Sequence, residues 1–329
     1  MQNRIYNTKA IIEAGLISAI IVVIMLLNVY VPIFSVLGVF ILPVPVTVLY
    51  IRHNYKVTLG AVVVSAILIA MLYDPISALT SSTLFGATGM TLGYCVKHDK
   101  KFSTTILFLA IASAVSVIIN FAIFSSFVNK DGIVGLVNQN IKILNESLNM
   151  SKGLYSKMGV PSEQFAQLEK SFSIFTTDFI LKLMPAMLVI MSFGSAYFNY
   201  VITKSILKKL RYNIEDVKPF NEIYINTRIG TILVLFLIIG ILLNKNKMAV
   251  GEYITNSSEI ILQLIFVLDG LAVVYYYLKN KLNMTKMFIV LILIFTATSQ
   301  LSIIYMYLGF IDMIIDFRKL DPYRRLIKE

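Results

Sequence analysis

Cysteine, tryptophan, histidine and charge are all scarce in this chain. One cysteine, Cys95, in 329 residues excludes an intrachain disulfide. The two histidines, His53 and His98, sit in short basic stretches without the spacing of a metal site. Charged residues make up 14%, whereas a soluble chain carries about 25%. That is too little charge to cover a compact water-soluble fold. Acids are the scarcer sign, 18 against 29 bases, for a net charge of +11. In a soluble protein this excess points to nucleic acid. Here 57% of residues are hydrophobic and the mean hydropathy is +0.79. The excess therefore reads as the positive-inside bias of membrane loops and as attraction to anionic membrane lipid, with no nucleic-acid partner. Enzyme signatures are missing too: there is no HExxH, no GxSxG and no phosphate-binding GxxxxGK[ST]. The expectation is a chain that is not an enzyme, holds no metal or cofactor, and does not hydrolyse ATP itself.

What is present is a succession of apolar runs, most of them as long as the ~20 residues a bilayer span needs, with the seventh short and the sixth longer than the bilayer requires. They cover residues 10–30, 33–51, 57–73, 76–96, 104–128, 173–203, 229–243, 257–278 and 287–315. The fold class is all-α, a polytopic helical membrane protein with eight to ten transmembrane helices. Pro43 and Pro45 predict a kink or break in the second run. Arg4 and Lys9 precede the first run, and basic clusters follow the second, fourth and sixth, so the N-terminus is assigned to the cytoplasm of a bacterial plasma membrane. If 287–315 crosses once, the tail with Arg318, Lys319, Arg324, Arg325 and Lys328 falls on the wrong side. A final hairpin of two short helices returns it to the cytoplasm, as does a miscounted span elsewhere.

The chain divides into residues 1–128, the first five transmembrane helices, and 129–172, an external helical hairpin. Residues 173–228 carry the sixth helix and a basic loop, and 229–329 the last spans and tail. The 129–172 segment is nearly neutral. Its Val134, Val137, Ile141, Leu144 and Leu148 step at helical spacing, and Gly159 and Pro161 break it. It rests on the bundle surface or closes over a cavity.

Candidate ligand contacts are few. Thr80, Ser81, Ser82 and Thr83 form a polar run in the fourth span, followed by Gly86, Gly89 and Gly93. They serve either as a polar cavity wall or as a face for close helix packing. Asn120 is a similar candidate. Asp269 lies near the middle of the eighth span, where a carboxylate costs a few kcal/mol and must face protein or water. It is either a proton or substrate contact, or a hydrogen bond between packed helices. Ala10, Ala14 and Ser18 form a small-residue stripe that suits close docking of another helix, internal or from a partner. Lys204, Lys208, Lys209 and Arg211 form a basic cluster that can meet cytoplasmic partners. Asp312, Asp316, Arg318 and Lys319 read as a self-neutralising interface anchor or as a docking element.

The opening Thr8-Lys9-Ala10 with Glu13-Ala14-Gly15-Leu16, the Leu42-Pro43-Val44-Pro45 break and the Gly86/Gly89/Gly93 helix occur in a familiar order. The long outer loop and the closing Gly309-x-x-Asp312-x-x-x-Asp316-Phe317-Arg318-Lys319 complete it. Together they resemble the YybS-like family of uncharacterised bacterial membrane proteins. The first six helices are similar in pattern to the substrate-binding S components of energy-coupling-factor transporters, where a small-residue stripe on the first helix docks the coupling subunit. The resemblance implies an S-component-like six-helix bundle and a small-molecule binding or transport subunit, of unknown ligand, working with energy-coupling subunits. The outer hairpin is longer and the C-terminal spans are extra, and no vitamin-binding residue set is recognisable. The alternative is a membrane scaffold that recruits envelope or cell-division proteins.

Overall fold

The computed structural model describes residues 2–128, 131–158, 162–217 and 219–320. Among them the regular elements are helical: α1 (Gln2–Tyr30), α2 (Pro32–Ile41), α3 (Pro43–Arg52), α4 (Tyr55–Leu72), α5 (Pro75–Lys97), α6 (Phe102–Phe127), α7 (Gly132–Lys157), α8 (Ser162–Phe172) and α9 (Thr177–Lys209). A single 3-10 turn at Phe220–Glu222 follows, then α10 (Thr227–Lys245), α11 (Ala249–Asn280), α12 (Lys286–Ala297) and α13 (Ser302–Ile315). Six of these helices are long and apolar enough to cross a membrane, or seven if the bent pair α12–α13 is counted as one span. Their outward faces carry bare apolar side chains, such as Ile11, Met71, Met191 and Phe295. Water would penalise that surface and lipid does not. The chain is a polytopic helical membrane protein.

Two compact units divide between Asp216 and Val217, with Lys182–Met187 of α9 counted in the second unit. In the first, Ile21, Met25, Leu42, Val46, Ile69 and Phe85 make the apolar core. The break expected at the prolines falls between α2 and α3. Pro43 opens α3, where its missing N–H costs nothing, and the freed backbone is met by side chains. Thr47 Oγ1 donates to Pro43 O (2.9 Å) and to Gly89 O on α5 (3.0 Å). A Cβ on Gly89 would lie 2.7 Å from Pro43 O, so this crossing of α3 and α5 admits no side chain. The glycine face of α5 is thus a packing surface.

The segment after α6 forms the helix pair α7–α8, tied by Lys152 Nζ to Glu169 Oε2 (3.3 Å) and by Tyr155 against Phe165. Ile141 and Leu144 of its apolar stripe face Phe172, Phe175 and Ile180 across a shallow recess. The Gly159 to Pro161 break lies outside the described residues, as does Lys130.

In the second unit α10 and α11 run antiparallel. A Cβ on Gly240 would lie 2.7 Å from Thr255 N, and one on Gly251 2.3 Å from Asn244 N. Continuing that register brings Thr227, the start of α10, level with Leu268 and Asp269. The last three turns of α11 extend beyond α10 and are covered by the 3-10 turn, with Phe220 packed edge-on against Tyr275. Asp269 lies level with the start of α10, because α11 is 32 residues long and only part of it pairs with α10.

The final apolar run is broken at Thr298, and α12 and α13 diverge by 108°. The end of α13 meets the start of α10: Thr227 Oγ1 donates to Met313 O (3.4 Å), and a Cβ on Gly230 would lie 2.2 Å from Met313 Sδ. α13 runs antiparallel to α11, with Tyr305 against Gly270 and Gly309 against Phe266, so the last apolar run is a bent element rather than one straight helix.

Candidate functional site

Three acidic and basic side chains meet inside the second unit. Asp269 on α11, Asp312 on α13 and Arg318 just beyond α13 are 1%, 3% and 5% exposed. Arg318 uses its whole donor fork. Nη2 donates to Asp269 Oδ1 (2.7 Å) and Asp312 Oδ2 (2.8 Å), and Nε to Asp312 Oδ2 (3.1 Å). Nη1 donates to the carbonyls of Ile223 (2.7 Å) and Asn221 (3.3 Å). One guanidinium so ties α11 and α13 to the segment before α10.

Two sequence features bring it there. Gly270 and Gly309 let α11 and α13 touch backbone to backbone: a Cβ on Gly270 would lie 1.9 Å from Tyr305 O, and one on Gly309 2.0 Å from Phe266 O. Asp316 then ends α13 in a left-handed conformation (φ 54°, ψ 60°) and accepts the Leu320 N–H (2.9 Å), which turns Arg318 back towards the helix it has just left. Asp312 and Asp316, paired on one helix face by their i,i+4 spacing, thus do separate work. The anchor expected at the interface is in part a buried ion cluster; Arg324, Arg325 and Lys328 lie outside the described residues. The signal was present in the sequence. A carboxylate within an apolar run requires a cation, and the closing glycine-acid-arginine pattern supplies one together with the close approach that delivers it.

The first unit holds the other candidates. Thr80 Oγ1 donates to Ile76 O (3.0 Å) and Ser82 Oγ to Leu79 O (3.0 Å), so both hydroxyls serve their own helix. Ser81 is half-buried on the same turn. Thr83 and Asn120 are brought together, Oγ1 donating to Oδ1 at 2.7 Å, and Ser116 Oγ reaches Thr83 O (3.3 Å). That links α5 to α6.

Among the described residues, four buried polar atoms of this unit accept or donate no hydrogen bond: Ser113 Oγ on α6, and Ser192 Oγ, Asn199 Oδ1 and Thr203 Oγ1 on α9. Ser192, Asn199 and Thr203 recur at helical spacing and form a buried polar stripe on α9. From the sequence Asn199 is, like Asn120, either a ligand contact or helix glue, while Ser192 and Thr203 carry no signal because single hydroxyls are common in membrane helices. Tyr200, beside Asn199, lines a cavity of about 330 Å³ with Cys95, Lys100, Lys101, Thr105 and Glu215. Glu215 is held across its mouth, accepting the Phe102 N–H at the start of α6 (2.5 Å), while Tyr200 Oη donates to Glu215 O (2.8 Å).

The small-residue stripe has an internal partner. Ala10 and Ser18 are buried, and Ser18 Oγ donates to Ala14 O (2.9 Å) and to Ala61 O of α4 (3.0 Å). The helix docked on this stripe is α4. In the basic cluster, Lys204 and Lys208 both reach Asp216 Oδ1 (2.5 and 2.6 Å), whereas Lys209 and Arg211 are exposed.

The hydrogen bonds from Lys204 and then Lys208 push the Asp216 carboxyl down to about 2. Its folded-state value lies below the ordinary one, so the clamp is complete above the ordinary carboxylate range and is released as pH falls through about 2. At neutral pH, Asp216→Asn is expected to raise acetylation of Lys204 and Lys208 relative to Lys209. Unchanged labelling would show that the clamp does not hold the two ammonium groups.

Comparison with known proteins follows the same lines. The chain is 24% identical over 283 residues to "Uncharacterized protein YybS" of Bacillus subtilis (strain 168), which covers 84% of this chain and 86% of that protein. No solved structure matches. The family model described as "Predicted membrane protein (DUF2232)" matches residues 19–313, a span that includes α11 and both aspartates of the ion cluster. The chain belongs to this DUF2232 family of predicted membrane proteins.

Proposed function

We propose that the protein is a membrane-embedded binding or transport subunit for a small polar solute, S-component-like in working with partner proteins. The observation that carries this reading is the set of unmet polar groups inside the first unit, Ser113, Ser192, Asn199 and Thr203. Leaving a buried hydrogen-bonding group unpaired costs about 1–3 kcal/mol. A purely structural bundle gains nothing from several of them, whereas a polar solute or the water it displaces satisfies them. The helix break at Leu42 and Pro43 supports the same reading, since interrupted helices line the binding sites of many transporters. In this reading the cavity at Lys100 and Lys101 is the inner mouth, and the basic stretch before α10 faces the cytoplasm together with the end of α13. The energy-coupling partner binds elsewhere than on the Ala10, Ala14 and Ser18 stripe, which α4 covers.

Lys209 and Arg211, exposed and basic, favour the second reading, a scaffold for envelope or division proteins. One experiment separates the two. The protein is purified in lipid nanodiscs, denatured, and the released small molecules are identified by mass spectrometry, beside an Asn199→Ala/Thr203→Val double variant. A polar solute retained by the wild type and lost from the folded variant supports binding. No solute in the folded wild type, with partner capture abolished by Lys209→Glu/Arg211→Glu, overturns it in favour of the scaffold.

A further inference from the structure

The ion cluster of the second unit does not balance. Two carboxylates and one guanidinium leave one negative charge in a place from which solvent is excluded. Every N–H of Arg318 is spent on Asp269 Oδ1, Asp312 Oδ2 and the two carbonyls. Asp269 Oδ2 and Asp312 Oδ1 remain buried without a hydrogen-bond partner.

Among the described residues no second cation is hydrogen-bonded or ion-paired to Asp269 or Asp312. The segment before α10 faces the cluster with the carbonyls of Asn221 and Ile223 and the amide of Ile225. Its Glu222 is exposed, as is Arg228 on α10, and α10 turns Thr227 and Gly230 towards α13. On α13 the buried tyrosine, Tyr305, has its hydroxyl bonded to Thr296 near the end of α12. Asp316 caps the tail through the Leu320 amide, and Lys319 is exposed. An ionised carboxylate without a counter-charge in such a place is costly enough that the group neutralises instead.

We propose that the Asp269–Arg318–Asp312 cluster is a single-proton site, in which one of the two carboxyls carries a proton at neutral pH while the other is the counter-ion of Arg318. The proton removes the excess charge and turns one partnerless oxygen into a hydroxyl. The site belongs to the second unit and stands whether or not the first unit binds a solute. Because Arg318 joins α11, α13 and the segment before α10 at this point, loss of the proton bears on all three.

Infrared spectroscopy of the protein in nanodiscs provides the test. At neutral pH the wild type should show a carboxylic-acid C=O band that shifts on deuterium exchange and is absent from the folded Asp269→Asn/Asp312→Asn protein, or from both folded single variants if the double variant does not fold. Unfolding supplies the second arm. Each single Asn variant copies the protonated acid without titrating, so it should unfold near the wild-type midpoint in the ordinary carboxylate range and later than the wild type at neutral pH, whereas the double variant strands a lone guanidinium and should unfold far earlier than either single one. Above the ordinary carboxylate range the wild-type folding equilibrium should fall about tenfold per pH unit until the site gives up its proton, because the native state holds one more proton than the unfolded chain. Both single variants should lose that slope. A missing acid band overturns the proposal, as do single variants that unfold as early as the double one. Stabilisation by added sodium or potassium at fixed pH, without an acid band, also overturns it and assigns the place to a metal cation.

Discussion

Arg318→Met is expected to destabilise the second unit by about 3–5 kcal/mol, the cost of removing one partner from a buried ion cluster. The substitution leaves the Asp269–Asp312 carboxyl pair buried without its cation and frees the carbonyls of Asn221 and Ile223. Lysine does not rescue it. Its three donors on a point charge cannot fill four acceptors placed around a planar fork, so Arg318→Lys should lie close to Arg318→Met. Denaturant unfolding in detergent, followed by a reporter on α12 or α13, checks both. Limited proteolysis should show new cleavage between residues 216 and 227 first, because that segment is attached through the two carbonyls. An Arg318→Met protein that unfolds within 1 kcal/mol of wild type, the scale of an exposed ion pair, would mean that solvent reaches the cluster.

The second large effect belongs to the glycines of the α11–α13 crossing. Gly270→Ala and Gly309→Ala each place a Cβ about 2 Å from a backbone carbonyl oxygen, Tyr305 O and Phe266 O respectively. A backbone atom cannot swing aside as a side chain can, so the helices must separate. Overpacking in a well-filled core costs about 1–3 kcal/mol, and these rigid contacts belong at or above the upper end of that range. Separation also draws Asp312 and Arg318 away from Asp269, so each glycine variant should be non-additive with Arg318→Met in a double-mutant cycle. Gly15→Ala is the matched control, since a Cβ there meets nothing within 4 Å. Equal midpoints for Gly15→Ala and Gly309→Ala would refute the close crossing.

Much of the architecture was legible because hydrophobic length is a local property. The membrane class, most of the helix bounds, the break at Pro43 and the α7–α8 helix pair all follow from composition and spacing within one segment. The last apolar run was legible only as a conflict between its length and the charge of the tail. The bend between α12 and α13, and the contacts of Met313 and Arg318 with residues 80 to 100 positions earlier in the chain, are facts that no local pattern records. Small-residue stripes illustrate the same limit. The spacing of Ala10, Ala14 and Ser18 announces close docking, yet only the Ser18 bond to Ala61 says that α4 is the helix docked. In the polar run, the spacing marked four equivalent residues, but Thr83 alone crosses to another helix, at Asn120.

Asp269 separates the two kinds of knowledge most clearly. Its cost within an apolar run follows from residue type alone, since a carboxylate among hydrocarbon must find a partner whatever the fold. Which partner it finds, and at what depth, depends on the crossing of α11 and α13, on the left-handed turn at Asp316 and on where α10 begins. Those are long-range facts, set by backbone contact at Gly270 and Gly309. Apolar periodicity encodes which segments leave water, because transfer free energy adds residue by residue. The pairing of buried charge is decided in the tertiary structure, because it depends on geometry between segments far apart in the chain.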